Sequence, residues 1–251
     1  MDLTIIERER AAALHWRGTE EERLGDWLLR AAEGFTGRAN SALPLGDPGL
    51  PLDDALAAVV AWYRGRGLPP MIAVPMPLDT PSNLDDHLSE RSWLTRPGPA
   101  LVMTADLARV RATPGLPAGL EIHVTDEPDG EWLRMYRYRG QPDLPPVGLK
   151  VLTSAREQAF VSIRSPAAAV AVGRLSLAGG WAGITSVEVD PRHRRRGLGT
   201  MITLGICAEA VARGADEILL QVETENEPAR TLYERCGFTY SHRYHYRIAP
   251  A

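Results

Sequence analysis

Lysine and cysteine are both scarce in this chain of 251 residues, and each scarcity narrows the possible functions. Lys150 is the only lysine among 28 basic residues, so arginine side chains carry the positive charge. With a formal net charge of −4, the sequence lacks the overall basic character typical of a general nucleic-acid-binding protein. Arginines clustered within a mildly acidic chain indicate a local anion site instead, and no nucleic-acid partner is expected.

Cys207 and Cys236 are the only cysteines, and both fall within apolar patterns of helical spacing. We therefore expect two buried, reduced thiols and no disulfide framework. No uninterrupted apolar run approaches the roughly 20 residues that span a bilayer. The first four residues also lack the basic and apolar segments of a secretory signal. These absences predict a soluble cytoplasmic protein without a membrane partner.

An arginine-rich turn near residue 194 is the most informative segment of the sequence. A strand ends at Val189, four arginines follow within residues 192–196, and a helix then opens with Gly197 and Gly199. The first N–H groups of a helix have no intrahelical acceptor and carry partial positive charge, so they bind anions. Glycine lets an anion approach the backbone, and arginine donates forked hydrogen bonds to phosphate oxygens. The segment therefore predicts a phosphate-bearing ligand.

Hydrophobic periodicity divides the chain into two halves with a similar order of elements. In the first half it predicts helices at 2–16, 52–64 and 84–93 and strands at 27–32, 35–43, 71–76 and 100–104. In the second half it predicts strands at 120–125, 159–164, 168–177, 181–189, 217–222 and 238–248, and helices at 131–139, 147–156, 198–213 and 227–236. A linker rich in proline and glycine joins them at 113–119. We predict an N-terminal half, 1–113, and a C-terminal domain, 114–251.

Two motifs of the second half resemble those of the GNAT superfamily of acyl-CoA-dependent N-acetyltransferases. The family's turn pattern, Arg or Gln, two residues, Gly, one residue, Gly or Ala, is filled by Arg194, Gly197 and Gly199. The family's later pattern, Asn…Ala…Tyr-x-x-x-Gly-Phe, is matched by Asn226, Ala229, Tyr233, Gly237 and Phe238. The resemblance covers roughly residues 120–248, and an amphipathic helix and a strand separate the two motifs.

The resemblance implies a mixed α/β fold in which helices flank a central, twisted, mixed sheet. A partial, degenerate GNAT-like repeat would precede this domain, and its counterpart of the arginine turn, 47–51, carries no arginine. The implied activity is transfer of acetyl from acetyl-CoA to a primary amine of a small-molecule or peptide acceptor, by direct attack in a ternary complex and without a metal. A monomer or homodimer is expected. A non-catalytic acyl-CoA-binding or regulatory protein, or a structural module that binds a partner, is the alternative.

The resemblance also assigns roles to individual residues. The pyrophosphate of the cofactor would contact the turn, formed by Arg194, Arg195, Arg196, Gly197, Leu198, Gly199 and Thr200. The backbone of the preceding splayed strand, at Val187 and Val189, would hold the pantetheine arm. Tyr233 matches the tyrosine that often serves as general acid toward the leaving thiolate. Asn226 would contact the cofactor or cap its helix.

No general base occupies the positions that the family uses. Many members have a glutamate twelve residues before the tyrosine, where this chain has Gln221. Others have an acid or histidine on the preceding strand, where Gly183 and Thr185 stand. Glu188 and Glu223 are the nearest acids, although strand alternation is expected to point them to the opposite face. They are the candidate bases, and the alternatives are a water chain, an acid from the first half of the chain or an acid of the segment 126–131.

The acceptor pocket is expected to involve residues 131–152 and the end strand near Tyr244 and Tyr246. Candidate lining residues on the first of these segments are Trp132, Tyr136 and Tyr138, and a packed helix face is an equal alternative for them. An acidic run would attract a cationic amine, although a solvated loop is the more common meaning of such a run; it comprises Asp126, Glu127, Asp129 and Glu131.

Overall fold

The computed structural model of the protein describes residues 3–77, 83–110, 115–136 and 143–250. The helices in these ranges are α1 (Leu3–His15), α2 (Leu52–Arg64), α3 (Asn83–Glu90), α4 (Gly130–Met135), α5 (Pro146–Leu152), α6 (Leu198–Ala212) and α7 (Glu227–Cys236). The strands are β1 (Glu20–Leu24), β2 (Trp27–Ala31), β3 (Met71–Met76), β4 (Leu94–Asp106), β5 (Glu121–Thr125), β6 (Glu157–Arg164), β7 (Ala169–Ala178), β8 (Trp181–Val189), β9 (Glu217–Glu223) and β10 (Thr239–Ile248). None of these helices combines the length and apolar character needed to cross a bilayer.

An eight-stranded mixed sheet runs through the structure in the order β3-β10-β4-β9-β8-β7-β6-β5. Its neighbouring strands are antiparallel except for the parallel pair β8 and β9. Helix α6 packs on one face of the sheet, where a Cβ at Gly173 would meet side chains of Ile202 and Ile206. Helices α1 and α4 pack on the other face, against β7. This arrangement confirms the predicted mixed α/β class.

Helix α6 forms the centre of the core on its side of the sheet. Leu198, Ile202, Ile206 and Ala210 recur every four residues and are all buried. Burying a large aliphatic side chain stabilises a fold by roughly 1.5–3 kcal/mol, so this row holds the helix against β7 and β8. Cys207 is buried on the same helix, and burial raises the pKa of its thiol to about 12. Cys236 is also buried and free, which confirms the prediction of two reduced thiols.

The sheet crosses the predicted boundary between residues 113 and 114. Strand β4 belongs to the first half of the chain, yet it lies between β9 and β10 and pairs with both. Strand β3 likewise pairs with β10. The two halves therefore share one sheet, because long-range pairing inserts a strand of each half beside strands of the other. The predicted linker at 113–119 lies partly outside the described residues.

The order of elements supports the internal repeat, which stays a prediction. The first half contains β1-β2-α2-β3-α3-β4, and the second contains β7-β8-α6-β9-α7-β10. Strands β3 and β4 of the first half correspond to β9 and β10 of the second. If each strand in the run β3-β10-β4-β9 is replaced by its counterpart, the result is β9-β4-β10-β3, which is the same run in reverse order. A two-fold relation between the halves would produce this order. Each half then supplies one inner strand to the other.

The predicted strand at 35–43 is wrong. Those residues form turns, with only isolated bridges at Ala42 and Leu43. The side-chain oxygen of Asn40 accepts hydrogen bonds from the backbone N–H groups of Ala32 and Gly34, at 2.8 and 2.9 Å. Such local side-chain bonds offer the backbone an alternative to a strand ladder. The second strand of the first half is instead β1, whose charged sequence carries no apolar alternation.

His15 predicts acid sensitivity of the fold. It is buried at the end of α1 with Nδ1 2.9 Å from Oγ of Ser176. Burial, and then the charge of Arg174, lowers its pKa to about 3. The unfolded chain binds this proton below a pKa of about 6.5, whereas the folded chain binds it only near pH 3. Lowering the pH across this window should therefore lower the free energy of unfolding, by about 2 kcal/mol between pH 7 and pH 5.

Urea unfolding at pH 7 and pH 5 measures this loss. The variant His15→Gln cannot titrate and should lose about 2 kcal/mol less than the wild type over the same pH interval. His123→Gln removes an exposed histidine and should retain the wild-type loss. Equal losses in the wild type and His15→Gln would contradict the assignment.

Candidate active site

The parallel strands β8 and β9 diverge before either of them ends. They pair over three positions only, the last joining Ile184 with Leu220. Beyond this pair, Thr185, Glu188 and Val189 pair with β7, and the ladder with β9 has ended. Among the described strands, none therefore continues the pairing along this edge of β8, as predicted for the segment containing Val187 and Val189.

A β-bulge in β8 reverses the expected direction of Glu188. Thr185 pairs with Arg174, and the next pair joins Glu188 with Val172, so two residues of β8 oppose Gly173 alone. Ser186 within the bulge has a φ of +57°. An extra residue shifts the alternation of side chains along a strand. Glu188 therefore lies on the face of Thr185, and the expectation that it points away is wrong.

Glu223 also lies on the same face as Gln221, so the expectation that it points to the opposite face is wrong. It stands two residues after Gln221 on β9, and side chains two apart on a strand share a face. Its cross-strand partner is Ala100 of β4. Glu188 and Glu223 line the same cleft, which has a volume of about 340 Å³. The structure thus brings together both candidate bases at the point where the strands separate.

The first half of the chain forms one wall of this cleft, a contribution that sequence reasoning missed. Arg38 follows β2, and Arg96 lies on β4. Neither belongs to a motif, so no local signal in the sequence could have identified them. Three buried aromatic residues of the second half, Tyr136, Tyr244 and Tyr246, also line the cleft. Tyr138, the remaining predicted aromatic, lies outside the described residues.

Gln221 is held in the middle of the cleft by two donors. Nη1 of Arg38 donates to its Oε1 over 3.0 Å, and the hydroxyl of Tyr244 lies 3.4 Å from the same oxygen. The guanidinium of Arg38 also lies 5.0 Å from the ring centroid of Trp16. An amide acts here as a hydrogen-bond acceptor and cannot take a proton from an amine.

The arginine turn connects β8 to α6 with two residues in the left-handed region. Arg195 has a φ of +63° and Gly197, the N-cap of α6, a φ of +81°. Glycine adopts this conformation without a steric penalty, and because it has no Cβ a ligand can approach the backbone N–H groups at the start of the helix. Leu198 is buried and anchors the first turn, whereas the side chains of residues 194–196 are exposed. Nε of Arg194 donates to the carbonyl of Val189 over 3.3 Å.

The second glycine of the turn packs closely against the following helix. A Cβ at Gly199 would lie 2.6 Å from Cδ1 of Leu232 on α7, so the Leu232 side chain would have to shift to admit one. The contact brings the start of α6 close to α7, which carries Tyr233. Gly199 and Thr200 also contribute the N–H groups of the first helical turn, which have no intrahelical acceptor.

Tyr233 is buried on the α6 side of the sheet. Its ring centroid lies 5.9 Å from that of Phe238, and it packs in the cluster that contains Val187 and Val189. Burial raises the pKa of its phenol above the ordinary value of 10. The hydroxyl therefore stays protonated at neutral pH, which excludes a role as general base.

Asn226 has the capping role that the sequence allowed. Its side-chain oxygen accepts a hydrogen bond of 3.2 Å from the backbone N–H of Ala229. This bond satisfies one of the free donors at the start of α7. The structure therefore confirms the cap, and contact with a cofactor stays a prediction.

The acidic run at 126–131 makes structural contacts away from the cleft lining. Asp126 pairs with Arg213 at 2.9 Å, and Asp129 pairs with Arg164 at 2.6 Å while capping α4. Glu131 pairs with Arg134. Trp132 of α4 is fully buried in the core and does not line the cleft. Recruitment of a cationic amine by this run stays a prediction.

Comparison with known proteins agrees with the geometry over nearly the whole chain. The family described as probable histone acetyltransferase Rv0428c C-terminal matches residues 4–247. The uncharacterized N-acetyltransferase YobR of Bacillus subtilis is 27% identical over 253 residues, which cover 96% of each chain. The probable histone acetyltransferase Rv0428c of Mycobacterium tuberculosis is 29% identical over 252 residues, which cover 97% of this chain and 72% of its own.

Solved structures share the fold at low sequence identity. A GCN5-related N-acetyltransferase from Kribbella flavida has a TM-score of 0.73 and 16% identity, and the match covers 99% of this chain and 95% of that one. A tandem GNAT protein from the clavulanic acid biosynthesis pathway has a TM-score of 0.63 and 14% identity, covering 84% and 76%. These likenesses concern the fold alone, and they confirm the architecture predicted from the sequence.

Proposed function

Because the chain belongs to the family described as probable histone acetyltransferase Rv0428c C-terminal, a family of GNAT N-acetyltransferases, we propose that it transfers acetyl from acetyl-CoA to a primary amine. One observation carries this proposal: β8 and β9 separate between the arginine turn and a cleft that contains two carboxylates. A phosphate-bearing donor and an amine could thus meet from opposite faces of the sheet. We propose direct attack within the ternary complex.

The residues around the turn fit acetyl-CoA, which supplies an acetyl group activated as a thioester. The N–H groups of residues 197–200 and the exposed arginines 194–196 would hold its pyrophosphate. The edge of β8 that separates from β9, at Val187 and Val189, would hold the pantetheine arm by backbone hydrogen bonds. The corresponding helix of the first half, α2, begins after Pro51 and carries Asp53 and Asp54 in its first turn. These acids disfavour an anion, which supports one cofactor per chain.

The chemistry requires one proton to leave the amine and one to reach the leaving sulfur. The acetyl carbon exchanges its bond to sulfur for a bond to nitrogen. Glu188 and Glu223 would accept the proton of the ammonium group, directly or through water. Tyr233 would donate a proton to the thiolate, because its phenol is protonated at neutral pH. General acid–base catalysis of this kind contributes about 10²–10⁴-fold to a rate.

The variants Glu188→Gln and Glu223→Gln identify the base. If one of these carboxylates accepts the proton, its variant should lose about 10²-fold or more in kcat, and the double variant no less. The measurement is kcat against pH, because loss of the base also removes the acidic limb of the profile. Glu225→Gln is the matched control, since Glu225 is exposed and lies outside the cleft lining. A double variant within threefold of the wild type would assign the base elsewhere.

Release of free thiol from acetyl-CoA in the presence of a panel of amines tests the function itself. Turnover with any primary amine, dependent on both substrates, supports the proposal. The second candidate, a non-catalytic acyl-CoA-binding protein, is favoured by Gln221 at the family's usual base position. Calorimetric binding of CoA without turnover across the panel would favour it. Absence of CoA binding would exclude both candidates.

A further inference from the structure

The cleft is lined by charged side chains of both signs. Glu188 and Glu223 stand at the separated ends of β8 and β9, whereas Arg38 and Arg96 come from the first half of the chain. A cleft that only had to bind a cation and remove its proton would need the acids alone. The arginine wall therefore calls for a separate explanation, which the described contacts supply.

The contacts that position Arg38 and Arg96 are made with neutral groups and not with carboxylates. Arg38 donates to the neutral Gln221 and lies over the ring of Trp16. Nη1 of Arg96 lies 3.6 Å from Sδ of Met71, and its guanidinium lies 5.5 Å from the ring centroid of Tyr246. Within the described ranges, no acidic side chain forms an ion pair with either arginine. Both are half-buried and line the cleft.

Further positive charge lies behind this wall. Arg174 is fully buried and donates to Gln158, Thr185 and the carbonyl of His15. Burial, and then the charge of Arg38, lowers the pKa of Arg174 to about 9, and the group remains a cation at neutral pH. Its contacts are neutral oxygens, and among the residues that the structure describes it has no ion pair.

Arg30 and Glu9 complete the charges on this side. Arg30 is buried and donates to the backbone and hydroxyl oxygens of Ser41, at 3.2 and 3.1 Å. Glu9 lines a small cavity next to the cleft together with Arg30 and Arg38, but its Oε1 lies 2.7 Å from Nε2 of His242. One buried carboxylate therefore faces several guanidinium groups. This wall of the cleft has an excess of positive charge that an anion would neutralise.

We propose that the acetyl acceptor is a small amine that also carries an anionic oxygen group, held by Arg38 and Arg96. The inference rests on the proposed function and names the substrate class of the same site. Guanidinium groups bind carboxylate and phosphate oxygens by charge-assisted, forked hydrogen bonds. An anion held there leaves the amine free to lie toward Glu188 and Glu223. A volume of about 340 Å³ suits a ligand of amino-acid size.

Matched pairs of acceptors test this class. L-Phenylalanine is compared with L-phenylalaninamide, and O-phosphoethanolamine with ethanolamine, by the rate of thiol release from acetyl-CoA. The anionic member of at least one pair should have a kcat/KM roughly 30-fold higher, mainly through a lower KM, because hydrogen bonds to charged groups are the strong ones. The two pairs distinguish carboxylate from phosphate as the recognised group. Equal kcat/KM within both pairs would overturn the inference and leave the proposed function standing.

Variants connect the preference to the arginines. Arg38→Gln and Arg96→Gln should each reduce the ratio of kcat/KM between the members of a pair toward one. Gln221→Glu should do the same without removing an arginine, because the new carboxylate would pair with Arg38. Arg109→Gln is the matched control, since Arg109 is exposed and outside the cleft lining, and should keep the ratio. An unchanged ratio in all three cleft variants would contradict the assignment.

Binding separates failure of the inference from failure of the proposed function. If no amine releases thiol, the proposed function fails. Calorimetry with L-phenylalanine and O-phosphoethanolamine then tests whether the cleft of the wild type binds an anion. Binding of either probe that Arg96→Gln abolishes and Arg109→Gln retains would support the site, provided that both variants unfold at the wild-type temperature. No binding of either probe to the wild type would overturn it.

Discussion

Replacing Gly197 with tryptophan is expected to abolish CoA binding while the protein remains folded. Gly197 is exposed at the start of α6, and a Cβ there would meet only Met201, at 3.7 Å. The indole has room, but it would occupy the space in front of the helix N–H groups where the pyrophosphate is proposed to bind. Because the φ of +81° is unfavourable for an L-residue, the free energy of unfolding should fall by about 1–2 kcal/mol. Affinity for CoA should fall by about 100-fold or more.

Gly214→Trp provides a matched control at the other end of the same helix. Gly214 has a φ of +82°, is exposed, and has open space around the position of a Cβ. The same substitution there should carry the same conformational penalty and retain CoA binding. Calorimetry with CoA and urea unfolding of both variants separate the two effects. Wild-type affinity in Gly197→Trp would exclude this turn as the pyrophosphate site.

Removing the hydroxyl of Tyr233 is expected to lower kcat by about 10²–10⁴-fold without weakening CoA binding. The ring packs against Phe238 and the core beside β8, and phenylalanine preserves that packing. Only the proton donor is lost, so the leaving thiolate must take its proton from water. The loss should appear in kcat measured under saturating substrates, and the dissociation constant of CoA should change by less than threefold.

Tyr63→Phe distinguishes catalysis from simple burial of a phenol. Tyr63 is buried in the first half, and its hydroxyl donates to the carbonyl of Arg30 over 2.9 Å. Its loss should lower the free energy of unfolding by about 1 kcal/mol and leave kcat within threefold of the wild type. A Tyr233→Phe enzyme with wild-type kcat would remove the tyrosine from the mechanism.

Most of the second half was predictable because its signals are local. Helix α7 follows a capping asparagine and ends at Gly237, whose φ of +106° favours glycine, so both ends were read from single residues. Strand β8 and helix α2 were also predicted with their observed bounds. The missed strand β1 and the false strand at 35–43 have different causes: apolar alternation is absent in the first, and side-chain hydrogen bonds replace the ladder in the second.

The candidate bases show where local reasoning ended. Glu188 was expected on the wrong face because a bulge at Ser186 depends on how β8 pairs with Gly173 of β7. Glu223 was expected there too, although its spacing from Gln221 already placed it on the cleft side. Arg38 lies 183 positions before Gln221, and no periodicity within either segment records their contact.

The sequence by itself determined the fold class, the arginine turn and the buried thiols, because each depends on residue types within one turn, strand or helix. Tertiary structure alone decided that the two halves share a sheet, that β4 enters between β9 and β10, and that four charged side chains surround one cleft. Those features arise from pairing between distant strands, and a shift of one residue in such pairing moves every side chain to the other face.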